Sequence, residues 1–275
     1  MKTIKTVGIL GLGKMGCPMA GFIKAKGYEV IGYDPSPQAC EVAASRGARI
    51  AASPGEVARA SDLVIVVVGF DSQVEGVLFG KNGVVEGAGA GLVVAIGSTI
   101  TPAYAERLAE RLAERGLIAL DMPLTRGEAA AEEGRLLVLG AGDEVAFEAC
   151  RPVFAAFASD VFHLGPAGAG QVGKMVNNLI LWACMSANDE GLRLGAALGV
   201  DPERLRQALH HSSAQNWSMD TRAEERPVPW AEKDMTIVLA EADRARLSLP
   251  LCGTLKEVIK GIKLRLGHDI PMVHD

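Results

Sequence analysis

The sequence carries no excess of positive charge: 28 Lys and Arg stand against 33 Asp and Glu, a formal charge of -5. Nucleic-acid binding wants a basic face, so no nucleic-acid partner is expected. Cysteine is sparse and unpatterned. The five residues Cys17, Cys40, Cys150, Cys184 and Cys252 are odd in number and widely spaced, and no CxxC occurs. That excludes a disulfide framework and a zinc ribbon, and it fits a reducing, cytoplasmic setting. No HExxH is present, so no metal site is expected. Long apolar runs are missing too. None reaches the roughly 20 residues of a membrane helix, so no membrane partner is expected. The stretch after Met1-Lys2-Thr3-Ile4-Lys5 is broken by glycines and reads as a strand, not a targeting segment. Repeats and low-complexity segments are absent.

What remains is an ordinary globular balance, 49% apolar and 22% charged over 275 residues, enough for one large domain or two modest ones. The first 165 residues alternate short Val/Ile/Leu runs with helical patterns. Strands are expected at Thr6–Leu10, Glu29–Tyr33, Leu63–Val68, Leu92–Ile96, Leu117–Asp121 and Arg135–Leu139. They show little polar alternation, as parallel strands covered on both faces do. Helices are expected between them, as at Pro102–Arg115 and Asp143–Phe157. This pattern predicts a doubly wound α/β sheet. After the loop Gly165–Gly170 the pattern turns helical, with one long apolar helix over Gln171–Leu198, then Pro202–His210, Lys233–Arg246 and Pro250–Leu266. The expected architecture is a Rossmann domain over 1–165 and an all-helical domain over 166–275, joined by the long helix. A helix apolar nearly all round is buried, and a partner subunit would cover part of it, so a homodimer or homotetramer is expected.

The first strand feeds Gly11-Leu12-Gly13-Lys14-Met15-Gly16, a GxGxxG. Gly11 allows the tight turn, Gly13 lets backbone approach a pyrophosphate, and Gly16 lets helix pack on strand. The free N–H groups and positive end of the following helix suit phosphates. The second strand runs into Asp34, near the interval of about 20 residues at which an acidic side chain meets the adenosine ribose. A carboxylate accepts from a ribose 2′-OH and repels a 2′-phosphate. Pro35-Ser36-Pro37-Gln38 offers no cation, so NAD is expected over NADP.

Lys174 interrupts the apolar start of the long helix, with Asn178 one turn on, on the same face. An amine and an amide so placed suit carbonyl chemistry: the amine exchanges a proton with an oxygen and the amide orients it. A Lys that only snorkels from a long helix would look the same. His210-His211 reads as a helix end in solvent, and Glu132-Glu133 as a solvated face. Trp217 fits either a substrate pocket or interdomain packing.

Taken in order, Gly11-Leu12-Gly13-Lys14-Met15-Gly16-Cys17-Pro18-Met19-Ala20, Asp121-Met122-Pro123-Leu124-Thr125-Arg126-Gly127, Lys174-Met175-Val176-Asn177-Asn178, Lys233-Asp234-Met235 and Gly267-His268-Asp269 resemble the β-hydroxyacid dehydrogenases. These include enzymes of the 3-hydroxyisobutyrate dehydrogenase and tartronate semialdehyde reductase kind. The resemblance implies hydride exchange between NAD and a small anionic 3-hydroxy acid or its semialdehyde. It implies Lys174 as general acid/base and Asn178 as substrate orienter. Thr99 and Lys233 would lie by the cofactor or substrate, and Thr125, Arg126 and Gly127 would hold the substrate's acid group. The common family loop reads Ser-Gly-Gly, so Arg126 replaces a glycine. A similarly placed arginine occurs in sulfolactaldehyde reductases. Arg126 is therefore expected to face the anionic end of the substrate. Two other readings stay open: a reductase of a small anionic aldehyde, and a non-catalytic NAD-binding regulator.

Overall fold

The computed structural model describes residues 3–221 and 231–267. The His268-Asp269 part of the C-terminal motif lies outside them. The strands are β1 (Thr6–Leu10), β2 (Glu29–Tyr33), β3 (Arg49–Ile50), β4 (Leu63–Val66), β5 (Val93–Ile96), β6 (Ile118–Asp121), β7 (Leu124–Thr125), β8 (Leu136–Gly142) and β9 (Ala158–His163). The helices of the first part are α1 (Gly16–Ala25), α2 (Pro37–Ser45), α3 (Pro54–Ala60), α4 (Asp71–Phe79), α5 (Val84–Gly87), α6 (Pro102–Ala113), α7 (Gly127–Glu132) and α8 (Glu144–Phe154). Then come α9 (Ala169–Ala197), α10 (Pro202–His210), α11 (Trp217–Thr221), α12 (Ala231–Arg244) and α13 (Pro250–Arg265). The chain divides into two compact units, Met1–Lys174 and Met175–Asp275.

The first unit is the expected doubly wound sheet, in the order β3-β2-β1-β4-β5-β6-β8-β7 with β9 beside β8. From β3 to β6 the strands are parallel. Successive residues of each central strand enter two different cores. Ile9, Ile65 and Ala95 face one, with Phe147 and Phe154. Leu10, Val66 and Val94 face the other, with Leu108 and Leu112. Burial on both faces explains the continuous apolar runs.

Parallelism does not extend to the whole set. β8 runs antiparallel to β6 and β7, although its residues read like the others. The short strand β7 and the edge strand β9 escape the sequence pattern. β7 is two residues long, and β9 (Ala-Ser-Asp-Val-Phe-His) is polar and half exposed. The helix expected to run to Phe157 stops at Phe154, because the chain must turn back to place β9 parallel to β8.

Helix starts follow local chemistry. Ser36, Ser53, Thr101, Asp143 and Asp201 each accept an N–H from the first turn of the helix they precede. Proline follows four of these caps, where its missing N–H costs nothing.

The second unit is helical. Its core gathers Trp182, Met235, Val238, Cys252, Leu255 and Ile259. Two polar links lie inside it: the Trp182 indole N–H donates to Asp234 at 2.9 Å, and Lys263 pairs with Glu232. His210 ends α10 as expected, exposed, with its Nδ1 2.6 Å from the Asp220 carboxylate. Among the described residues no helix is long and apolar enough to cross a membrane.

Candidate active site

β1 ends at Leu10, and the chain then turns at Gly11 with φ +97. A β-carbon on Gly11 would lie 2.3 Å from the Val67 carbonyl oxygen, so only glycine fits. At Gly16 a β-carbon would lie 1.9 Å from the Gly11 carbonyl oxygen, which is the close helix–strand contact the third glycine permits. Gly13 differs: its missing β-carbon faces open space, with no atom within 4 Å. No side chain caps α1, and no acidic residue sits in its first turn. Its positive end is thus left for an outside anion. Leu12 is buried and Met15 packs against the core. Lys14 is exposed and pairs with Glu128 of α7 at 3.0 Å.

Asp34, just past β2, is bound to this loop. Its Oδ2 accepts the Leu12 N–H and its Oδ1 the Ser36 N–H, each at 2.8 Å. A carboxylate has about four acceptor positions, so two are left for ribose hydroxyls. The glycine cradle, the uncapped helix and the carboxylate therefore fit an adenine dinucleotide.

Thr99 lies half-buried beyond the end of β5. Its neighbours are fixed: Ser98 Oγ accepts the Val68 N–H at 2.8 Å, and the Gln171 side chain bonds to both Ser98 and Ile100. Lys174, on the first turns of α9, donates from Nζ to the Leu124 carbonyl at 2.6 Å. Leu124 and the buried Thr125 form β7, so the amine stands beside the Thr125–Gly127 loop. Arg126 and Gly127 both have positive φ, +81 and +79.

Within the first unit the structure thus brings together Gly11 to Gly16 with Asp34, and Lys174 with the Thr125 loop. Asn178 lies one turn past Lys174 on α9, buried, accepting from Asn177 at 2.9 Å. Lys233 is half-buried on α12 of the second unit. Three contributors were not foreseen. Asp121 and Gln171 tie the start of α9 to strand ends, and Asp160 takes up Arg126. Only the first carried a signal, as the head of the Asp-Met-Pro motif.

The Arg126 guanidinium is directed to β9. Its Nη1 donates to Ser159 Oγ at 2.7 Å and to the Arg135 carbonyl at 3.1 Å, and it lies 2.7 Å from Asp160 Oδ2. The Ser159 hydroxyl and the Arg126 guanidinium hold the Asp160 carboxyl below the usual carboxylate range. The guanidinium thus pairs with β9. Arg126→Ala should change kcat/KM by less than about threefold, for charged and uncharged substrates alike, since exposed pairs contribute little. Arg126→Gly should be more stable than Arg126→Ala by about 1 kcal/mol, because both lose the pair but only glycine is relaxed at positive φ. Steady-state kinetics and denaturant melts of the two variants check this.

Residues 6–165 match the family model described as the NAD binding domain of 6-phosphogluconate dehydrogenase. Residues 168–272 match the NAD-binding domain of NADP-dependent 3-hydroxyisobutyrate dehydrogenase. The L-threonate dehydrogenase of Cupriavidus necator is 34% identical over 90% of this chain and 86% of its own. The NAD-dependent L-serine dehydrogenase of Pseudomonas aeruginosa is 35% identical over 79% of this chain and 73% of its own. The 3-hydroxyisobutyrate dehydrogenase of Mycobacterium tuberculosis, solved with L-serine, superposes with a TM-score of 0.84 at 26% identity, over 95% of this chain and 94% of that one. With both halves of its length matched, this chain belongs to the β-hydroxyacid dehydrogenases and is an NAD-dependent enzyme of that family.

Proposed function

We propose that the enzyme oxidises a short 3-hydroxy acid to its 3-oxo acid, and reverses the reaction, with Lys174 as general acid/base. The observation that carries this reading is the placement of the Lys174 amine 2.6 Å from the Leu124 carbonyl, next to Thr125. A hydroxyl held at that amine can exchange its proton with Nζ. The compounds named for the relatives, L-serine, L-threonate and 3-hydroxyisobutyrate, all carry a carboxylate and a hydroxyl on the β carbon.

NAD supplies the hydride acceptor when bound. The chain does the rest. The neutral amine of Lys174 removes the hydroxyl proton as the β C–H bond breaks, and its ammonium returns that proton in reduction. The Thr125 hydroxyl and the Gly127 N–H hold the substrate carboxylate, and Asn178 orients the reacting oxygen. Gly11 to Gly16, Asp34, Thr99 and Lys233 serve the cofactor. We assign residues 1–165 to cofactor binding and 166–275 to substrate and subunit contacts. Exposed Val176, Ile180 and Leu194 on α9, with Leu198 just past its end, support a homo-oligomer, since solvent alone would not favour such a stripe. The five free cysteines suit a cytoplasmic setting.

Cofactor choice tests the assignment of Asp34. Catalytic efficiency with NAD should exceed that with NADP. Asp34→Asn should narrow the gap by about tenfold, equivalent to about 1.4 kcal/mol, because it removes repulsion of a 2′-phosphate. Kinetics with both cofactors decide it: a preference of the parent enzyme for NADP would remove the ribose role of Asp34.

A further inference from the structure

The helix that carries Lys174 is fastened at its first turn by two buried polar side chains. Asp121 ends β6 and is only 4% exposed. Its Oδ2 accepts the Gly168 N–H at 2.8 Å, and the backbone N–H groups of Gly170 and Gln171 lie close enough to favour its charged form. The approach is tight: a β-carbon on Gly170 would lie 2.7 Å from the Asp121 β-carbon and 2.5 Å from the Leu139 carbonyl oxygen. Gln171 is 1% exposed and reaches the other strand end. Its Nε2 donates to the Ser98 carbonyl at 2.9 Å, and its Oε1 accepts the Ile100 N–H at 3.2 Å. Lys174 comes one turn later, and its Nζ meets the Leu124 carbonyl, three residues beyond Asp121. The segment from Asp121 to Leu124 is therefore held by α9 twice, at its root by Asp121 and at its tip by Lys174.

We propose that Asp121 is a positioning residue for Lys174, whose ionised carboxylate, together with the Gln171 amide, sets where the amine stands beside the Thr125 loop. The proposal rests on Lys174 being the acid/base. A carboxylate that accepts one backbone N–H and faces two more at a helix start is a charge-assisted clamp, and protonation weakens it. A shift of about 1 Å at a reacting group is enough to cost roughly a hundredfold in rate.

The clamp can lose its charge in an accessible range. Burial pushes the Asp121 carboxyl up to about 6, and the Glu106 carboxylate on α6 adds to the rise; the three N–H groups oppose it. β5 and β8, on either side, bring no charged residue. α6 also carries Arg107, Glu110 and Arg111, and α8 carries Glu144, Glu148 and Arg151, but among the described residues Glu106 is the charge that bears on Asp121. α9 brings Lys174. A raised carboxyl pKa makes the folded state most stable with Asp121 protonated. That stability is full below the unfolded value near 3.8 and is lost as pH rises through about 6. Acid therefore loosens the clamp without destabilising the fold through this group. The ionised form is retained at a cost in stability, as expected of a group kept for positioning.

The test is the pH profile of kcat in the direction of reduction, with NADH and 2-methyl-3-oxopropanoate. There Lys174 must carry its proton, so its own titration lowers the rate only as pH rises. The parent enzyme should lose rate in acid with a midpoint near 6. Asp121→Asn should lower kcat about 10- to 100-fold at neutral pH and lack the acid limb, with NADH affinity and Tm close to the parent. The two profiles should converge as the pH falls to about 4–5. Gln171→Met, which leaves Asp121 intact, should lower kcat but keep the limb. A parent profile flat to pH ~5, an acid limb that persists in Asp121→Asn, parallel loss of kcat and Tm, or a parent-like kcat in Gln171→Met would overturn the proposal. Lys174→Ala is assayed beside them: if it stays active, the acid/base reading fails, whereas an inactive Lys174→Ala with a fully active Asp121→Asn removes only the clamp.

Discussion

Lys174→Ala should abolish most hydride transfer, by about 10²- to 10⁴-fold, while NAD affinity stays within about twofold of the parent. The amine is the one part of the proposed chemistry that Asp34 and the glycine loop cannot replace. Its Nζ stands at the Leu124 carbonyl, and the residues proposed to hold the dinucleotide are others, so removing it should leave the cofactor's contacts intact. Lys174→Arg sharpens the test. A guanidinium can still donate to the Leu124 carbonyl but cannot give up its proton, so this variant should be nearly as slow. Stopped-flow measurement of nicotinamide absorbance, with calorimetry for NAD, separates the two effects. Near-normal transfer in Lys174→Ala would make the lysine a structural tie between α9 and β7.

The glycine loop gives the second large effect. Gly13→Ala and Gly16→Ala add the same methyl group three residues apart. At Gly16 the added carbon meets backbone, 1.9 Å from the Gly11 carbonyl oxygen, so the helix must move and stability should fall by about 1–3 kcal/mol. At Gly13 it meets no atom within 4 Å, so the protein should melt as the parent does. In the proposed binding mode that same space receives the pyrophosphate. NAD binding to Gly13→Ala should therefore weaken about 10- to 100-fold, or roughly 1.4–3 kcal/mol. Thermal melts with and without NAD distinguish the cases. Unchanged NAD affinity in Gly13→Ala would place the pyrophosphate elsewhere.

Much of this was legible in the residues because the relevant signals are local. The GxGxxG, the strand before it and Asp34 fall within one βαβ unit, and burial on both faces leaves continuous apolar runs at β1, β4 and β5. What escaped depends on contacts distant along the chain. Gly168 meets Asp121 across 47 residues and Gln171 meets Ser98 across 73, and no periodicity records such pairings. Arg126 shows the same limit. A cation beside an acid-binding motif reads as an anion ligand, but its direction is decided by Ser159 and Asp160 on β9, a strand the sequence pattern does not reveal. The reversal of β8 is hidden for a related reason: burial, not strand direction, sets its composition.

The central claim is that hydride leaves the β carbon of a short hydroxy acid for NAD. The most direct measurement uses 3-hydroxyisobutyrate with deuterium on the hydroxyl-bearing carbon, and reads the mass of the NADH formed. Deuterium carried into the nicotinamide is the expected result. NADH formed without deuterium, or no reduction with this substrate, with L-serine or with L-threonate, would contradict the account.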